Sequence, residues 1–205
     1  SVSSDNDGIH ASRDTAISLT ANGSNLIGSL TKSIGKEGID AEKNAQVTLM
    51  AETGNNEIYS VLNGINEKNS KIELSASAGS NKIISSDGNG IFADRDDDPE
   101  KKSSVTLTAL DNTIESEEYG IYALTGSEVK LDAKGTDNAI TSGNKSAIYA
   151  NKGIVALTAK GNNSLAAEGP TINADQGGKI TLKAETGNNS VSSDNDGIHA
   201  SRDTA

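Results

Sequence analysis

The pattern Val/Ile-x-Leu-x-Ala occurs seven times, at Ile17-Leu19-Ala21, Val47-Leu49-Ala51, Ile72-Leu74-Ala76, Val105-Leu107-Ala109, Val129-Leu131-Ala133, Val155-Leu157-Ala159 and Ile180-Leu182-Ala184. A β-branched residue, a leucine and an alanine at alternate positions mark a strand with one buried face. The positions between them are mostly Ser, Thr, Lys, Glu or Asp, as a solvated face requires. One such strand cannot bury its apolar face alone, so near-copies at a regular interval predict stacking of each copy on the next.

Two further motifs share the interval. Gly-Ile-x-Ala appears around Ile9, Ile39, Ile91, Ile121 and Ile198, with weaker copies at Gly64-Ile65-Asn66-Glu67, Ala147-Ile148-Tyr149-Ala150 and Thr171-Ile172-Asn173-Ala174. Asn-x-Ile, or its Leu or Val equivalent, begins at Asn25, Asn56, Asn81, Asn112, Asn138, Asn163 and Asn189, usually just after a glycine. Gly and Asn both tolerate positive φ, so a sharp corner is predicted between the second and third strands. Seven Asn at one corner predict a ladder of stacked amides.

Three short strands per turn of roughly 27 residues describe a right-handed parallel β-helix, an all-β solenoid of about seven coils. Left-handed β-helices use shorter coils with hexapeptide regularity, which is missing. At the usual strand spacing the rod would be about 34 Å long. Two places exceed the regular coil length. One lies around Leu30 to Gly35, and the other is the loop from Asp94 to Lys102.

Residues 1–16 recur letter for letter as residues 190–205, an offset of 189 residues. The whole chain, 1–205, therefore reads as a single β-helix segment, one 189-residue tandem period followed by the first 16 residues of the next. Seven whole coils per period keep the register across the junction, so neighbouring copies are expected to join end to end.

Composition limits the function. Only 33% of residues are hydrophobic, net charge is −11, and there is no Cys or Trp. Thiol catalysis and disulfides are excluded. The acidic balance argues against nucleic acid as a partner. No apolar stretch approaches the length of a membrane-spanning helix.

The coil pattern, the acidic Gly/Asn/Ser/Thr-rich composition and the lack of Cys resemble the passenger regions of Gram-negative autotransporters and related type V secreted adhesins. The resemblance spans the whole chain. It implies display on the bacterial cell surface, with a signal peptide and an outer-membrane anchor elsewhere in the parent protein, and roles in adhesion and virulence.

The outward position of Gly-Ile-x-Ala reads His10, Asp40, Asn66, Phe92, Tyr122, Tyr149, Asn173 and His199 down the rod. Phe92, Tyr122 and Tyr149 thus fall on three consecutive coils, a candidate contact surface for a glycan or protein and otherwise a stabilising cross-strand stack. Asp94, Asp96, Asp97, Asp98 and Glu100 make an acidic loop that invites comparison with Ca²⁺ sites. Its spacing matches no calcium motif, and Arg95, Lys101 and Lys102 can neutralise it, so a solvated charged loop is the stronger reading. Asp5-Asn6-Asp7-Gly8 reads as a turn. His10 and His199 are copies of one position and form no triad or metal motif in the sequence.

No catalytic residue, cofactor or metal site is assigned, and no enzyme is expected. The expected function is a repeat of a large surface adhesin, serving as elongated stalk, as a weak multivalent surface for host cells or glycans, or as a means of self-association. The alternatives are a spacer without a ligand and, further behind, a polysaccharide-cleaving β-helix enzyme.

Overall fold

The computed structural model describes residues 1–95 and 103–201. Among these the regular structure is all β, arranged as three parallel sheets, one of eight strands and two of seven. The chain visits the sheets in rotation, so each strand pairs with the strand one coil away. The architecture is a parallel β-helix. No helix among the described residues is long and apolar enough to cross a membrane.

Sheet one contains the Gly-Ile-x-Ala strands Ile9–Ser12, Ile39–Glu42, Ile65–Lys68, Ile91–Asp94, Ile121–Leu124, Ile148–Asn151, Ile172–Asp175 and Ile198–Ala200. Sheet two holds the Val/Ile-x-Leu-x-Ala strands, from Ala16–Ala21 to Lys179–Ala184. Sheet three runs from Asn25–Ile27 to Asn189–Ser193 and begins most of its strands at or beside the repeated Asn. Pairing is in strict register, with Ile9 on Ile39, Val105 on Val129 and Ile114 on Ile140.

This register explains how a chain with few large apolar residues still builds a core. Inward Ile, Val and Leu stack on their equivalents, and those of the middle coils are essentially inaccessible. Each buried aliphatic side chain contributes about 1.5–3 kcal/mol relative to exposure. The lengthened segment after Ile27 also serves the core. Ser29 bridges Lys32 in a small antiparallel turn, and Ile34 then returns to pair with Ser60 and is fully buried. Leu30, at the tip of that turn, stays exposed.

The amide ladder is continuous. Asn25 Nδ2 donates to Asn56 Oδ1, and the same link joins Asn56 to Asn81, Asn112, Asn138, Asn163 and Asn189, at 2.8–2.9 Å throughout. The second amide proton of several members goes to a backbone carbonyl, as from Asn56 to Ser75 O and from Asn138 to Thr158 O. Asn112 is fully buried in the middle. Asn112→Ala leaves the Asn138 amide oxygen without its ladder donor and Asn81 without its side-chain acceptor, which costs about 2 kcal/mol. A melting temperature lower than wild type by roughly 5 °C is expected in thermal denaturation. An unchanged value would show that the ladder adds nothing to stability.

One sequence expectation needs correction. Among the described residues, the left-handed backbone is concentrated at the corner between the first and second strands, not between the second and third. It falls at Arg13–Asp14, Lys43–Asn44, Asn69, Thr125–Gly126, Lys152 and Gln176–Gly177. At the Asn corner the glycines answer a steric demand instead: a Cβ on Gly79 would lie 2.1 Å from the Gly54 carbonyl oxygen of the next coil.

Candidate functional site

Three side-chain groupings stand apart from the regular ranks. The first is aromatic. The register of sheet one places Tyr122 between Phe92 and Tyr149, as the motif spacing predicts. Ring centroids are 5.5 Å apart for Phe92–Tyr122 and 5.2 Å for Tyr122–Tyr149. The rings do not form a flat platform. Both pairs are edge-to-face, with interplanar angles of 80° and 69°. This arrangement suits the ring quadrupoles better than a direct sandwich. Tyr119, from the turn before the strand, packs 4.6 Å from Tyr122 and 5.4 Å from Tyr149. Lys68 Nζ lies 5.7 Å from the Phe92 ring centre, within cation–π range.

All four rings are half-buried. Burial, followed by the neighbouring phenols, raises the pKa of Tyr119; burial and then Tyr149 do the same for Tyr122. Both hydroxyls therefore stay neutral at physiological pH. The result is a ridge that offers apolar ring surface and uncharged hydroxyl groups together.

The second grouping surrounds Glu67, which stands in a weak copy of the Gly-Ile-x-Ala motif. Glu67 pairs in register with Ala41 and Ala93, so it occupies an inward alanine position, and it is fully buried. Ser70 N–H donates to its Oε1, and Ser103 Oγ meets its Oε2. Ser103 Oγ also donates to Asp94 O at 3.0 Å. A hydroxyl has one proton, so both contacts are best served when Glu67 is protonated. Its O–H then donates to Ser103 Oγ, while Ser103 donates onward to Asp94 O. Burial pushes the Glu67 carboxyl up to about 8, against the opposing pull of Ser103 and Ser70. Glu67 thereby joins the two ends of the acidic loop to the core. Of the residues assigned to that loop, Asp94 ends a sheet-one strand, whereas Asp96, Asp97, Asp98 and Glu100 lie outside the described residues.

The third grouping lies between the first and second coils, around His10, for which the sequence predicts no triad or metal motif. His10 Nδ1 is 2.8 Å from Asp40 Oδ2 and 3.9 Å from Asp7 Oδ2. Asn66 Nδ2 donates to the other Asp40 oxygen at 2.8 Å. The Glu37 carboxyl is raised, mainly by burial, then by its side-chain contact with Asp7 and the charges of Asp7 and Asp40. The signal was present in the outward rank, since equal coil positions make His10 and Asp40 neighbours.

No protein-family model, curated protein or solved structure matches this chain. The aromatic ridge can make broad, weak contacts, the Glu67 group holds a proton inside the core, and the His10 group gathers carboxylates around an imidazole.

Proposed function

We propose that this chain is a repeat segment of a bacterial surface adhesin, an elongated stalk with a weak adhesive surface multiplied by repetition. The observation that carries the reading is the ridge of Phe92, Tyr119, Tyr122 and Tyr149, which gathers four of the five aromatic residues on one face of an otherwise polar rod. Partly exposed rings beside neutral hydroxyls suit the apolar faces and hydroxyl groups of a sugar, so a host-surface glycan is the preferred partner. A protein surface is the alternative. One modest site per 189-residue period gains strength by avidity when periods follow one another end to end. The proposed location is the bacterial exterior, with the parent anchored in the outer membrane. No catalytic role forms part of this proposal.

Replacing Phe92, Tyr122 and Tyr149 together by Ser is expected to lower binding to a glycan array and to host cells at least tenfold, roughly the effect of losing 1.4 kcal/mol of contact. Thermal melting of the same variant separates this from the stability lost with the ring pairs, about 0.5–1.5 kcal/mol each. Undiminished adhesion would favour the second reading, a spacer that only projects other domains. The uniform coil register supports that reading.

A further inference from the structure

We propose that Asp7, His10 and Asp40 form a binding site for a divalent transition-metal cation of the zinc, cobalt or nickel class. The site sits at the start of sheet one, where one coil supplies Asp7 and His10 and the next supplies Asp40. Backbone bonds from Gly8 N to Glu37 O and from Ile9 N to Gly38 O hold Asp7 beside Glu37. The strand register holds His10 beside Asp40. The three side chains therefore project from rigid, hydrogen-bonded backbone.

The geometry fits a small cation. Ligand atoms of Asp7, His10 and Asp40 all lie within 4.8 Å of one another. Ligands at the usual zinc distances of about 2.0–2.2 Å in tetrahedral array stand about 3.3–3.6 Å apart. The observed His10 separations, 2.8 Å to Asp40 and 3.9 Å to Asp7, bracket that value. A modest inward adjustment would bring the atoms to a common centre. Asn66 holds Asp40 Oδ1 and leaves Oδ2 directed at the imidazole, the outer-shell support typical of metal ligands. His10 is half-exposed, which leaves an open coordination position for water or a partner group.

A second observation points to a ligand at the same place. Asp7 Oδ1 is shut off from solvent and accepts no hydrogen bond from an N–H or O–H group among the described residues. An imidazole with a few carboxylates suits zinc, cobalt or nickel; calcium calls for six to eight oxygens.

The chain contains its own control. Residues 190–205 repeat residues 1–16, so Asp196 and His199 copy Asp7 and His10, with His199 Nδ1 4.0 Å from Asp196 Oδ2. Within these 205 residues, no following coil supplies a counterpart of Asp40 beside them. The complete site therefore forms once in this chain and would recur once per period in a longer array.

The test is calorimetric titration of the untagged 205-residue chain with Zn²⁺, paired with Co²⁺ absorption spectroscopy. One Zn²⁺ per chain and a visible Co²⁺ d–d spectrum are expected. His10→Gln and Asp40→Asn should each weaken Zn²⁺ binding at least about tenfold, while His199→Gln leaves it unchanged. Circular dichroism verifies that each variant retains its β structure. Absence of both Zn²⁺ heat and a Co²⁺ spectrum in the wild type overturns the proposal. Equal weakening by His199→Gln and His10→Gln overturns it as well.

Discussion

Glu67→Gln is expected to abolish a steep fall in stability that the wild-type chain shows as pH rises from about 4.5 to about 8. The cause is the proton held in the alanine rank of sheet one. The folded carboxyl titrates near 8, and the reference value for an unburied glutamate is 4.5. Between these values the folded chain binds a proton that the unfolded chain has released. Stability therefore decreases with rising pH, by up to about 1.4 kcal/mol per unit. The contribution is complete below 4.5 and lost once pH passes about 8. Over the window the loss from this group amounts to roughly 3–5 kcal/mol. A glutamine keeps an acceptor for Ser70 N–H and a donor for Ser103 Oγ without an ionisable proton. Denaturant titrations at pH 5, 7 and 9 should give the wild type a larger downward slope than the variant, which becomes the more stable protein at pH 9. Parallel slopes would place the Glu67 titration close to the ordinary carboxylate range and remove the argument for a protonated core. Above pH 8 the Ser103 hydroxyl must turn from Asp94 O to the ionised carboxylate, so the base of the acidic loop should exchange amide protons faster there.

Gly90→Ala is expected to destabilise the chain by about 3 kcal/mol or more, at the upper end of the usual cost of overpacking. A Cβ at Gly90 would stand 2.2 Å from Ile114 Cγ2 and 2.7 Å from Gly120 O. Gly38 and Gly64 meet Ile58 Cγ2 and Ile83 Cγ2 at the same distance, and Gly120 meets Ile140 Cγ2 at 2.3 Å. The sixth coil solves the problem differently. There Ala147 replaces the glycine and is fully buried, and the third-sheet residue in register with Ile140 is Leu165. Leucine branches one carbon further out and has no Cγ2 methyl, so space for a Cβ opens at the glycine rank. Ile114→Leu should therefore rescue Gly90→Ala. The change alone costs about 1 kcal/mol, but in a double-mutant cycle the two should couple favourably by about 2 kcal/mol. Strict additivity in chemical denaturation would refute the proposed contact. Thr171 opposite Val191 is not explained by this pairing, although Val191 lies in the last full coil and is less enclosed.

The repeat spacing alone specifies the three-strand coil, the inward ranks, the Asn ladder and the sharing of one face by Phe92, Tyr122 and Tyr149. In a parallel solenoid, equal positions in successive coils are necessarily neighbours, so a repeat spacing translates directly into a contact. The outward rank lists His10 beside Asp40 in the same way, but only the three-dimensional arrangement shows the two meeting and Asp7 closing on them. Tertiary structure decided what depends on side-chain direction and the filling of space. It turned the aromatic rank into an edge-to-face ridge joined by Tyr119, since ring tilt follows from local packing. It put the left-handed corner after the first strand, because the glycines of the other corner serve close coil-to-coil contact. It also showed that Glu67, a mere irregularity in the motif, points inward and holds a proton, because no periodic pattern records how far a carboxyl lies from water.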